Sequence, residues 1–207
     1  MKTFGRVLTA MITSFNEDGS VNIENSVAIA EHLLNHGSDG LVVCGTTGEN
    51  PTISRESKIA LFKAIAETCG DKGTIIANVG SNDTKGSVDF VKEVSTIPGI
   101  DGLLVVVPYY NKPNQQGQYL HFKSIAEATT LPIMVYNVPG RVGTGIFPAT
   151  LARLHKEYPH ICAIKEASGN LMIASEIKRL MPGEDFMVYS GDDGLTLPIL
   201  SVGGTGV

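Results

Sequence analysis

Lys165 stands at the end of an apolar run, Ile161-Cys162-Ala163-Ile164, and is followed by Glu166 and the small residues Ala167, Ser168 and Gly169. Four uninterrupted apolar residues predict a strand buried on both faces, as in parallel sheets. Alternation along such a strand puts Lys165 on the face of Ala163 and Ile161. If that face lines the inside of a barrel, the ammonium is poorly solvated. Its pKa falls, and the free amine can attack a carbonyl to form a Schiff base. The plainer account is a strand that leaves for solvent through a charged residue.

Other chemistry-bearing residues come in short groups, each with two accounts. Gly45-Thr46-Thr47-Gly48-Glu49 is either a tight turn or a loop whose amides and hydroxyls take a carboxylate without adding charge beside the lysine. It lacks the Lys-Ser/Thr ending of a P-loop, so it does not read as a nucleotide site. Tyr136 is a core aromatic or a proton carrier beside an imine. Arg141 is a loop charge or a fork for a substrate carboxylate. Asp192 and Asp193 read as caps for the next helix. The five histidines form no metal-ligand pattern, so neither a metal nor a zinc-dependent aldolase is expected.

The elements that must position these residues repeat one unit. Strands are predicted over 7–13, 40–44, 74–79, 102–107, 132–137, 161–164 and 186–190, each followed by a helix-period segment. Among the helix signals, Ser54 caps a segment carrying Ile59, Phe62, Ala66 and Cys69 on one face, and Pro148 opens a short helix. Strand and helix alternate seven times at about thirty residues a unit, with no linker between them. That pattern predicts one domain over residues 1–207 with a parallel sheet, either doubly wound or a (β/α)8 TIM barrel. No Gly-x-Gly-x-x-Gly follows the first strand, and seven units with the beginning of an eighth favour the barrel. Every polar group above then falls at the carboxyl end of a strand, the face where barrel enzymes place their sites. This clustering favours the reactive lysine over the plain one.

Composition sets outer bounds. The chain is 43% hydrophobic and 18% charged, with a net charge of -5 and no basic cluster. Neither nucleic acid nor an anionic membrane is expected as a partner. Its longest apolar run, Leu103 to Pro108, is too short to span a bilayer, and no leader is read in the stretch from Met1 to Arg6. Cys44, Cys69 and Cys162 lack paired spacing and read as buried thiols of a reducing compartment. A cytoplasmic enzyme is the expectation.

With these groups assembled, the chain resembles the dihydrodipicolinate synthase family of the pyruvate-dependent class I aldolases. The motifs are Gly45-Thr46-Thr47-Gly48-Glu49, Pro108-Tyr109-Tyr110-Asn111-Lys112-Pro113, Tyr136-Asn137-Val138-Pro139-Gly140-Arg141, Ile164-Lys165-Glu166-Ala167-Ser168-Gly169 and Ser190-Gly191-Asp192-Asp193. The resemblance implies that Lys165 forms an imine with pyruvate and that the derived enamine attacks L-aspartate 4-semialdehyde. The product would be 4-hydroxy-tetrahydrodipicolinate, on the way to lysine and diaminopimelate. It implies proton transfer by Tyr136, and a relay through Thr46 and Tyr110 in which Tyr110 reaches a neighbouring subunit of a homodimer or homotetramer. Thr47 would hold the pyruvate carboxylate and Arg141 that of the semialdehyde. No cofactor is implied beyond the covalent pyruvate imine. Two other functions stay open: an aldolase for N-acetylneuraminate or a 2-keto-3-deoxy sugar acid, and a silent barrel that only binds.

The chain departs from the family at Val142, where threonine is usual. Arg55 and Lys58 replace histidines found in lysine-inhibited members, and two cations there predict weak feedback by lysine. Gly203-Gly204-Thr205-Gly206-Val207 matches the start of an eighth strand. The barrel is therefore expected to be truncated within that strand, with unpaired edges on strands one and seven. The 207 residues would then belong to a longer polypeptide and would aggregate or lack activity alone.

Overall fold

The computed structural model describes residues 4–183 and 185–207. Met1 to Thr3, part of the stretch read for a leader, lie outside them. The described chain alternates as expected: β1 (Leu8–Ala10), α1 (Ile23–Asn35), β2 (Gly40–Val43), α2 (Arg55–Cys69), β3 (Thr74–Asn78), α3 (Thr84–Val94), β4 (Gly102–Val106) and α4 (Gln115–Ala126). The second half continues with β5 (Ile133–Asn137), α5 (Pro139–Val142), α6 (Pro148–Glu157), β6 (Ile161–Glu166), α7 (Leu171–Leu180), β7 (Met187–Ser190) and α8 (Thr196–Ser201). All seven strands are parallel, and each pairs with its sequence neighbours in the order β1 to β7.

The apolar runs explain the layering. β2, β3 and β5 are buried at every position, between the inside of the curled sheet and the helices. Asn22, Ser54, Asp83, Asn114 and Asn170 each accept a backbone N–H at the head of the helix that follows. A cap of this kind stabilises its helix by about 1 kcal/mol. Strand ends differ from the expectation by a few residues: β1 is three residues long, and β2 stops before Cys44, whose φ of 54° takes the backbone out of the sheet. The loop expected after β5 contains an unforeseen helical turn, α5, opened by Pro139.

One correction concerns β6. Ile133 pairs with Ile161 but Met134 pairs with Ala163, so Cys162 is an extra residue bulged between them. Simple alternation had put Ile161 on the face of Lys165. The bulge breaks it: Ile161 sits beside Ile133, while Ala163 and Lys165 share the face of Met134 and Tyr136. Continued without the bulge, the register would set Ile164 beside Tyr136 and turn Lys165 away. The bulge therefore decides which way the lysine points.

A second correction concerns the outer strands, expected to show unpaired edges. Thr205 N–H donates to Val188 O at 2.7 Å, and Ser190 N–H donates to Gly206 O at 2.9 Å. On the other side Val207 N–H donates to Arg6 O at 2.8 Å, and Leu8 N–H donates to Val207 O at 2.7 Å. Residues 205–207 thus run parallel between β7 and the approach to β1 and bond to both. Tyr189, 1% exposed, adds a hydroxyl bond to Gly5 O at 2.8 Å.

Candidate active site

An open cavity of about 950 Å³ lies inside the curled sheet, running from β1 and Val207 to the carboxyl ends of β2, β5, β6 and β7. Thr46, Thr47, Tyr136, Arg141 and Lys165 all line it, although they come from four separate strand-to-helix connections and strand ends. Five of the six residues singled out from sequence are therefore brought together. Tyr110 is not among the lining residues. It is 88% exposed, on a loop whose backbone is held at φ 70° there and at φ 45° two residues on, at Lys112. Positive φ in a tyrosine and a lysine stores strain, which accumulates at functional loops.

Lys165 enters from β6 and is laterally paired with Tyr136 on β5 and Tyr189 on β7. Its Nζ lies 5.0 Å from the centre of the Tyr136 ring. Burial pushes its pKa below the ordinary lysine range. The Asp193 carboxylate pulls the other way, and the Arg141 guanidinium adds to the lowering. Lowering favours the neutral amine, the form that attacks carbonyls. Gly191 makes room for the chain: a Cβ there would come within 2.9 Å of Lys165 Cγ and 3.0 Å of its Cε.

The threonine loop is fastened at both ends. Asn78 donates from Nδ2 to Cys44 O at 2.7 Å, and Thr13 Oγ1 donates to Gly48 O at 2.8 Å. These bonds hold the left-handed turn at Cys44 and leave Thr46 and Thr47 exposed to the cavity. Arg141 is carried on α5, the turn the sequence did not reveal. Val142 beside it is 5% exposed and packs in the core rather than along the cavity, so the departure there leaves the lining unchanged. Asp192 caps the turn after β7, with Oδ1 accepting from Gly194 N–H at 3.1 Å. Asp193, read from sequence as another cap, instead faces the cavity. Its only sequence signal was a place at a strand's carboxyl end.

Arg55 and Lys58 line a separate cleft of about 260 Å³ with Tyr109 and Ser81. Arg55 pairs with Glu93 at 2.6 Å, and burial lowers the pKa of Lys58. Among the described residues no group of three His, Cys, Asp or Glu side chains could hold a metal ion, and no helix is long and apolar enough to cross a membrane. All three cysteines are buried and free.

Residues 3–207 match the model of the dihydrodipicolinate synthetase family. A protein of Desulforamulus reducens named 4-hydroxy-tetrahydrodipicolinate synthase is 52% identical over 204 residues, which cover 99% of this chain and 68% of the relative. The dihydrodipicolinate synthase structure from Bacillus anthracis superposes with a TM-score of 0.95 at 44% identity, over 100% of this chain and 70% of that one. That from Cyanidioschyzon merolae, solved with lysine bound, gives 0.95 at 45% identity over 99% and 69%.

Proposed function

The chain belongs to the dihydrodipicolinate synthetase family, and on that premise we propose that it condenses pyruvate with L-aspartate 4-semialdehyde to give 4-hydroxy-tetrahydrodipicolinate. It is a lyase of the class I aldolase type. The observation that carries this reading is Lys165: an amine with a lowered pKa, beside Tyr136, in a cavity shared with two threonine hydroxyls and one guanidinium. The shared name of the relatives leaves the sugar-acid aldolase and the silent barrel without support.

The neutral amine adds to the ketone carbon of pyruvate, and loss of water gives an iminium. The iminium draws electrons from the neighbouring methyl group, which loses a proton and becomes the enamine carbon. That carbon forms the new bond to the aldehyde, whose oxygen takes up a proton. The semialdehyde's own amine then displaces Lys165 and closes the ring. Tyr136 carries these protons, a role supported by its ring centre lying 5.0 Å from the Lys165 amine. Thr46 relays them toward solvent together with Tyr110, which reaches a neighbouring copy in a homo-oligomer. Thr47 holds the pyruvate carboxylate through neutral donors, which avoids fixing a charge against the developing iminium. Arg141 takes the semialdehyde carboxylate. Lys165 supplies the electron sink, so the scheme calls for no cofactor. The architecture that best accommodates it is an eight-stranded barrel in the cytoplasm.

Turnover assays with pyruvate and, in turn, L-aspartate 4-semialdehyde, N-acetylmannosamine and a sugar aldehyde test this reading. Turnover with the semialdehyde alone is expected, and Tyr136→Phe should reduce it by about a hundredfold. A preference for either sugar would overturn the assignment. Feedback by lysine should be weak or absent if Arg55 and Lys58 repel its ammonium, and half-inhibition at sub-millimolar lysine would refute this.

A further inference from the structure

Directly behind the reacting pair lies a second pair. Tyr136 and Lys165 face each other across β5 and β6, and the next register step pairs Asn137 with Glu166. Consecutive strand residues point to opposite faces, so Asn137 and Glu166 project away from the cavity toward the helices. Asn137 is 0% exposed and Glu166 2%. Asn137 Nδ2 donates to Glu166 Oε2 at 2.7 Å. The other carboxylate oxygen, Oε1, accepts from Ser168 N–H at 2.6 Å, and Asn137 Oδ1 accepts from Ile146 N–H at 3.1 Å. Backbone bonds run alongside: Ala167 N–H to Asn137 O, and Gly191 N–H to Glu166 O, both at 2.8 Å.

A carboxylate buried with only neutral donors is an expensive way to join two strands, because burial removes its hydration. An apolar pair would join them at lower cost. What the polar pair adds is direction. Its side-chain bonds reach four places near the cavity: the end of β5, the end of β6, the connection carrying Arg141, and the turn after Lys165. We propose that Asn137 and Glu166 are positioning residues. Their hydrogen bond sets the Tyr136 ring against the Lys165 amine from behind, and their outer bonds fix the loops on either side. The inference rests on Lys165 and Tyr136 being the reacting pair.

The network can be reversed without changing its shape. In Glu166→Gln the new amide N–H₂ must face either the Asn137 N–H₂ or the Ser168 N–H, donor against donor. In Asn137→Asp one carboxylate faces another. In the double variant the new carboxylate on β5 accepts from Ile146 N–H with one oxygen and from the new amide on β6 with the other. The oxygen of that amide accepts from Ser168 N–H. Every bond is restored with the charge moved across.

The test is steady-state turnover of the two single variants and the double, in the complete polypeptide, with pyruvate–borohydride trapping and a melting curve for each. Each single variant should lose kcat by about tenfold or more while KM for pyruvate stays within about threefold, because alignment rather than pyruvate binding is disturbed. The double should recover most of kcat. If one single variant fails to melt cooperatively, the other single against the double carries the comparison. A single variant with kcat near that of the unaltered enzyme, or a double no better than the singles, overturns the positioning role. If the unaltered enzyme itself traps no pyruvate on Lys165, the reading of the site fails and this inference falls with it.

Discussion

Three influences act on the Lys165 amine. Burial is the largest and lowers its pKa, the Asp193 carboxylate raises it, and the Arg141 guanidinium lowers it. A lowered pKa means that the reactive free amine appears at lower pH than for an ordinary lysine. The two charges can be separated by imine formation with pyruvate alone, which needs no semialdehyde. Asp193→Asn removes the group that favours the ammonium, so the pH at which trapping sets in should move down. Arg141→Gln removes a repelling charge, so it should move up. No movement in either variant would show that burial alone sets the amine. Lys165, Thr46, Thr47, Tyr136 and Arg141 were legible because each is an unusual polar residue at a strand's carboxyl end. Asp193 and Gly191 stood in a motif at such an end too, but Asp193 read as a cap. Its charge acting on Lys165, and the room Gly191 leaves for that side chain, appear only once β6 and β7 are paired.

At the level of elements, the order of strands and helices followed from hydrophobic period and capping residues, and Ser54 and Pro148 stand where the sequence put them. The bulge at Cys162 left no such mark. An apolar run reads the same with or without an extra residue, since every position in it is buried. Another hidden feature joins α3 and α4. His121, 3% exposed, shares a hydrogen bond of 2.8 Å with Thr84 Oγ1, and burial pushes its pKa from 6.5 down to about 4, with Asp83 opposing weakly. At a pH above its ordinary value the ring is neutral whether the chain is folded or unfolded. As pH falls from 6.5 toward 4, only the unfolded chain takes up the proton, so stability is lost across that window, by up to roughly 3 kcal/mol at its lower end. His121→Gln, which can keep the bond to Thr84 without titrating, should flatten the loss in urea titrations at stepped pH. An equal acid slope in both proteins would place the sensitivity elsewhere.

The whole molecule is a parallel sheet curled far enough for residues 205–207 to bond to both β7 and the approach to β1. Repetition of the strand–helix unit made the curl legible. The beginning of an eighth strand is read from the sequence at 203–207, but not this bridging of both edges by so short a piece, because three residues carry too little pattern to show which groups they satisfy. Gly206 is central to it: an added Cβ would run into the carbonyl oxygen of Arg6. Gly206→Ala should therefore break the Arg6 and Leu8 bonds to Val207 at a cost of about 1–3 kcal/mol for each group left unpaired, read as a lower melting temperature. An unchanged melting curve would mean that the bridging adds little to stability. The fold as a whole brings one largely desolvated lysine amine into a cavity beside Tyr136. Incubating the protein with pyruvate and borohydride and mapping the added mass tests that most directly. One irreversible pyruvate-derived adduct is expected on Lys165, absent in Lys165→Ala. An adduct on another lysine, or none on the folded protein, would contradict it.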